Sequence, residues 1–199
     1  GEVRVPEDCK TLKEAVKKVH GDDRLTTIVL GQGGHVVSLS KTENGNDSNM
    51  LVISSAMNIV GDPGVAKEKI VVVGGIMFNN EGIQENCHLQ HMTLRQAKQC
   101  GVGGLSSFTM EDVLVEQCDW GGVYAHGPGV VGRCTNVEVR QCGLSGVAAA
   151  NGASITLIGA ETTVHHNCTE GLTVRGSLSS TIQLISPLTK EQVAIDNGG

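Results

Sequence analysis

Aromatic residues are almost missing from this chain of 199 residues: Trp120, Tyr124, Phe78 and Phe108 are the whole set. A core packed around large rings is therefore excluded. The interior must come from Val, Ile, Leu, Ala and Cys, which suits thin regular layers. Long apolar runs are missing too, since stretches such as "IVVVGGIMF" from Ile70 fall well short of the roughly 20 residues that span a bilayer. A basic excess is also lacking. Lys and Arg number 15 against 21 Asp and Glu, a net charge of −6, which excludes recognition of a nucleic-acid backbone. The opening "GEVRVPEDCK" has neither the basic nor the apolar region of a signal peptide, so a soluble chain is expected and its compartment stays open. Proline occurs four times and no Pro- or Ser-rich linker divides the sequence, so one domain over 1–199 is expected. Seven cysteines, an odd number with no C-x-x-C pair, make neither a complete disulfide framework nor a zinc site.

Glycine is abundant, at 27 residues, about twice the usual share of roughly 7%. Together with β-branched residues it calls for many tight bends between short strands. A repeat then becomes visible. "DVLVEQCDWGGV" from Asp112 is followed one lap later by "NVEVRQCGLSGV" from Asn136. The apolar anchors Leu94, Val115, Val139 and Val164 are spaced 21, 24 and 25 residues apart. A second marker keeps step with them: Gly101-Val102, Gly122-Val123, Gly146-Val147 and Gly171-Leu172. Within each lap apolar residues alternate, as in Met92/Leu94 and Val137/Val139, the period of a strand with one buried face. The pattern predicts a coil of three short strands per turn, each strand pairing with its equivalent one lap on, about 4.8 Å away. Ala97, Cys118, Cys142 and Asn167 then form an inward ladder at a corner, with the cysteines as small buried thiols. Upstream, Leu12, Ala15, Val16 and Val19 follow helical spacing, and Thr11 with Glu14 fits a capping box. An amphipathic helix within residues 1–25 is expected to cap the first coil, and 26–199 to form the stack.

The order "KTLKEAVKKVHGDDRLTTIVLGQGGHVV", then "LVISSAMNIVGDPG", then the rungs from "HLQHMTLRQA" onward resembles the right-handed parallel β-helix, or pectin-lyase-like, superfamily over nearly the whole chain. The resemblance implies an all-β, single-stranded right-handed parallel β-helix with an N-terminal capping helix. It implies little about activity, because that architecture hosts lyases, hydrolases, esterases, epimerases and noncatalytic adhesins. Clustered strand aspartates of the hydrolase kind are not found: the adjacent pair Asp22-Asp23 follows the capping helix. His126-Gly127 is an isolated match, the esterase Gln-Asp and Asp-Phe pairs are missing, and Asp62-Pro63 lacks the continuation that marks epimerases.

Three clusters are candidate sites. Arg95, Glu116, Arg140 and His165 form one predicted outward row beside a second, His91, Asp112, Asn136 and Glu161. In a uronate lyase or epimerase, Arg95 or Arg140 would neutralise a carboxylate or take a proton, with Glu116 between them; the alternative is a surface charge ladder that contributes little. Asp119, Trp120, Tyr124 and His126 share one lap, with rings to stack on a sugar face and polar groups to bind hydroxyls; such aromatics also mark protein interfaces. Cys87, His88 and His91 are metal-ligating types, but in a regular strand residues 88 and 91 point to opposite faces, so no metal is expected. No cofactor motif is present either, since "GDPGVAKEK" from Gly61 lacks the Gly-Lys-Ser/Thr of a phosphate loop. The leading expectation is a noncatalytic module that binds a polysaccharide or a protein through a lateral face. A carbohydrate-active enzyme on the Arg95/Glu116/Arg140 face comes second, and a structural spacer third. Oligomeric state stays open.

Overall fold

A computed structural model describes residues 1–80 and 87–199. Alternating aliphatic strands stack as a parallel β-solenoid of about seven turns, the central turns contributing to three rows of strands. The first row runs through Glu2–Val5, Thr27–Leu30, Asn58–Gly61 and onward to Thr181–Leu184; the second holds Ile70–Val73, Glu138–Arg140 and Thr163–His165. Two long strands, Cys87–Arg95 and Phe108–Glu116, bend through the corner between these rows and belong to both. The third row is a separate sheet, from Met50–Ile53 to Leu172–Arg175. Leu94 pairs with Val115, Val115 with Val139 and Val139 with Val164, so the anchors stack on one another. The Val102, Val123, Val147 and Leu172 markers do the same in the third row.

The glycine that recurs in each lap has a steric origin. A Cβ added at Gly122 would meet Val139 Cγ1 at 2.2 Å, and one at Gly146 would meet Val164 Cγ1 at 2.3 Å. Each of these glycines therefore lets a third-row strand press against the anchor of the following turn. The recurring Gln is a corner. Gln96, Gln117 and Gln141 have φ of 60°, 56° and 56°, followed by His166 at 55° and Asp196 at 52°. Left-handed backbone costs a non-glycine residue roughly 1–2 kcal/mol. The cost is offset by continuity, because the N–H groups of Gln96, Gln117 and Gln141 each donate to a carbonyl of the next coil.

Just inside that corner the expected ladder forms. Ala97, Cys118, Cys142 and Asn167 are all buried. Asn167 Oδ1 accepts from the Cys142 N–H at 3.0 Å, while Asn167 Nδ2 donates to Asn197 Oδ1 at 3.0 Å. A buried amide is thus satisfied along the stack, as burial requires. The thiol of Cys118 is held far above its ordinary range by its contact with the Cys142 sulfur and by burial. Both phenylalanines lie inside, stacked at 5.5 Å between centroids. Gly104 and Gly132 make room for them, since a Cβ at either would meet the Phe108 ring within 2.6 Å.

The helix Leu12–His20 packs Leu12, Ala15, Val16 and Val19 against the first coil. Thr11 Oγ1 accepts from the Glu14 N–H at 3.1 Å, and Glu14 reaches back to the N–H of Lys10. One strand, Glu2–Val5, precedes the helix and pairs with Thr27–Leu30. Among the described residues, no helix is long and apolar enough to cross a membrane.

Candidate functional site

Two lateral faces carry the predicted residues, and the structure treats them differently. On the second row Arg95, Glu116, Arg140 and His165 do stack in register. The expected exposed ladder is corrected in one respect: the Glu116 side chain is only 4% exposed. It is clamped from both sides, accepting from Arg95 Nε at 2.8 Å and from Arg140 Nη2 at 2.8 Å. Arg140 also donates to Glu138 Oε1 at 3.0 Å. Burial pushes the Glu116 carboxyl up, but the hydrogen bonds from Arg140 and Arg95 outweigh it and leave it below the ordinary range. The bond to Glu116 raises Arg140 further above its already high value. A guanidinium so paired gives up its proton less readily than a free one, so the neutral form that could take a proton from a substrate is scarcer.

The second predicted row holds at three positions and fails at the fourth. His91, Asp112 and Asn136 are left-handed corners with φ of 58°, 52° and 50°. The next such residue is Gly159, at 95°, because two extra residues lengthen this turn; Glu161 follows within it and its N–H donates to Asn136 Oδ1. The left-handed corner also corrects the expected geometry of "CHLQH". A bend at His91 interrupts the alternation, so His88 and His91 both project outward while Cys87 is buried. His88 bonds Thr109 and Gln90; His91 bonds Asp112 Oδ2 and the Val65 carbonyl, each at 2.6 Å. Among the described residues no three His, Cys, Asp or Glu side chains converge as a metal would need.

The third row presents a groove of about 470 Å³. Its floor is the outward line Val52, Met77, Gly103, Tyr124 and Ala148, consecutive partners in the parallel register. Two small residues on either side of Tyr124 create the hollow. Met77 folds into it, its Cε lying 2.6 Å from where a Cβ on Gly103 would be. Trp120, 52% exposed, and Leu144, 42% exposed, form a wall at the turn between the second and third rows. Cys100 is buried at the base, and burial pushes its thiol up to about 11, so it acts as a small apolar surface rather than a nucleophile. Burial raises the Tyr124 phenol as well.

The four residues expected as a carbohydrate platform are divided by this geometry. Trp120 and Tyr124 both line the groove. Asp119 lines a neighbouring depression with Gln96, Gln117 and Val37, on the other side of the turn. His126 stands beside Tyr124, 6.0 Å between ring centroids, and its Nε2 is hydrogen-bonded to Asn151 Nδ2 at 2.8 Å. The groove's neighbours that sequence reasoning missed are Met50, Val52, Met77, Leu144 and Arg175. The signal that could have found them is the same register: they occupy outward positions one to three laps from Tyr124. Arg175 Nη2 donates to Ser145 Oγ at 2.7 Å, and that hydroxyl also lies 3.2 Å from Glu170 Oε2.

Comparison of the chain with protein-family models, with curated proteins and with solved structures gives no match.

Proposed function

We propose that this chain is a noncatalytic β-solenoid module, pectin-lyase-like in architecture, that docks a protein partner in the lateral groove holding Trp120 and Tyr124. The observation that carries the reading is the convergence of the chain's one Trp and one Tyr on a mainly apolar groove that Met50, Val52, Met77, Leu144 and Ala148 also line. Aromatic and Met side chains in a hollow are the composition of an interface core. A sugar site needs free polar groups beside its rings; Asp119 and His126 lie outside the groove, and its own polar side chains are bonded to one another, Ser48 to Gln99 and Arg175 to Ser145. Catalysis on the other face is disfavoured because both guanidiniums there are engaged by Glu116.

A single tryptophan makes the test direct, since intrinsic fluorescence reports on this groove alone. A random peptide library and a glycan array are probed with wild type and with Trp120→Ala. Peptides retained by wild type, lost with Trp120→Ala, and able to blue-shift Trp120 emission support the reading. Retention of glycans in place of peptides would turn it to carbohydrate, and retention of neither would leave a spacer. Release of unsaturated uronates from pectin or alginate, abolished by Arg140→Ala, would restore the enzyme.

A further inference from the structure

The groove is apolar along most of its length and cationic at one end. It crosses the third-row strands from Met50–Ile53 to Leu172–Arg175. These are five steps of about 4.8 Å, about 24 Å in all, which matches an extended segment of about seven residues. Arg175 closes the far end. In the register it aligns with Ala150 and then His126, and its side chain turns back towards the corner to reach Ser145. Ala148 and Ala150 leave space for the guanidinium to lie across the sheet.

The state of that guanidinium is the second observation. Arg95 and Arg140 are each paired with a carboxylate. Among the described residues no acid pairs directly with Arg175; its hydrogen bond is to the neutral Ser145 hydroxyl, which stands between it and Glu170. A guanidinium bordering an apolar surface, with one of its five donors used, favours a planar carboxylate that can accept two parallel bonds. Ser145 fixes the orientation of the fork, being itself buried.

We infer that the groove selects an extended segment of a protein partner in which an aliphatic or aromatic side chain fills the hollow beside Tyr124 and an Asp or Glu side chain pairs with Arg175. This rests on the docking reading above and adds the chemistry of the partner. The apolar side chain supplies contact area against Met77, Tyr124 and Trp120, and the acid sets the direction in which the segment lies, since reversed binding would leave Arg175 unpaired.

Phage-displayed random heptapeptides, selected in parallel on wild type, Trp120→Ala and Arg175→Glu, test it. Circular dichroism checks that the variants keep the β fold. Wild type is expected to enrich Asp or Glu at one position, several residues from an aliphatic or aromatic position. Arg175→Glu is expected to lose that acid preference and to enrich Lys or Arg there. For a synthetic acidic heptamer from the wild-type pool, Arg175→Gln should weaken binding about tenfold, with loss of the blue shift in Trp120 emission at the same peptide concentration. A wild-type pool that depends on Trp120 but shows no acid preference, or one whose acid preference survives Arg175→Glu, overturns this inference while leaving the docking site standing. A pool that enriches nothing on wild type overturns both.

Discussion

At the scale of single residues, the decisive feature is how charges are partnered. Glu116 is nearly buried, yet its two guanidiniums remain about one-third exposed, 35% each. Removing the carboxylate charge strands Arg95 and leaves Arg140 with Glu138 alone, and water still reaches both cations, so Glu116→Gln should cost about 2 kcal/mol, between the values for a buried and a surface pair. Urea denaturation measures this as a lower midpoint with an unchanged slope. In a double-mutant cycle with Arg140→Met the two losses should not add. His91 carries a pH dependence. Its Nδ1 faces Asp112 Oδ2 and its Nε2 faces the Val65 carbonyl, both acceptors, so both ring nitrogens must donate. Burial pushes this imidazole down; the bonds from Asp112 and Val65 outweigh burial, and the nearby Lys67 ammonium opposes them, leaving a net rise. Asp112 is held below its ordinary range: burial raises it, and the Lys67 and His91 bonds more than compensate. A raised imidazole stabilises the fold fully below the unfolded value of about 6.5, and that contribution is lost as pH climbs through the folded value. The depressed Asp112 adds stability that is lost as pH falls through its own folded value. Melting temperatures of wild type and His91→Gln measured from acid to alkaline pH should therefore differ most in a mildly acidic window and converge on either side. A gap that widens in alkali would refute the double-donor assignment.

At the scale of elements, the glycines that recur in each lap set the distance between a third-row strand and the anchor of the next turn. Gly122→Ala drives a methyl into Val139 and Gly146→Ala one into Val164. Both neighbours are fully buried and have no free space to move into, so each substitution should destabilise by about 1–3 kcal/mol. Gly34→Ala is the control. Nothing lies within 4 Å of its added Cβ, and its effect should stay within about 0.5 kcal/mol. Thermal denaturation of the three variants checks the order, and an equal loss in all three would show that glycine flexibility, not spacing, is what matters. This repeat is also why so much was legible beforehand. Stacking forces like residues onto like, so Val115 and Val139, the Gly-Val markers and the Cys118/Cys142/Asn167 ladder announce themselves by recurrence. The helical spacing of Leu12, Ala15, Val16 and Val19 is equally explicit. Departures from alternation were not legible. Alternation sets His88 and His91 on opposite faces, whereas a left-handed corner inside a nine-residue strand resets the pattern and brings both outward. Recurrence puts Glu161 in a row whose corner falls instead at Gly159, two residues earlier. Asp119 and Trp120, adjacent in sequence, line different depressions because the chain turns between the second and third rows at that point.

At the scale of the whole molecule, each coil touches its immediate neighbours, and stability should be distributed accordingly. Central anchors such as Leu94, Val115 and Val139 have coils on both sides and are fully buried. The Thr181–Leu184 strand pairs with Ser154–Ile158, and its inward Ile182 and Leu184 are only partly buried. The opposite end behaves differently: Val3 and Val5 are buried beneath the Leu12–His20 helix. Hydrogen exchange should thus be slowest in the middle, intermediate under the helix and fastest in Thr181–Leu184. Damage should remain local in the same way. Val16→Asp places a carboxylate at the buried interface between the helix and the first coil, where it has no cationic partner close by in the helix face formed by Leu12, Ala15 and Val19. Exchange is expected to accelerate by at least tenfold in Glu2–Val5 and Thr27–Leu30, while Val113, Val115 and Val139 keep their wild-type rates. The Met50–Ile53 strand closes the same coil as Thr27–Leu30, but Trp120 and Tyr124 stand three coils further on, so peptide binding measured by Trp120 emission should survive the substitution. If protection instead collapses along the entire stack and binding disappears with it, the solenoid unfolds as one cooperative unit and the helix holds all of its coils.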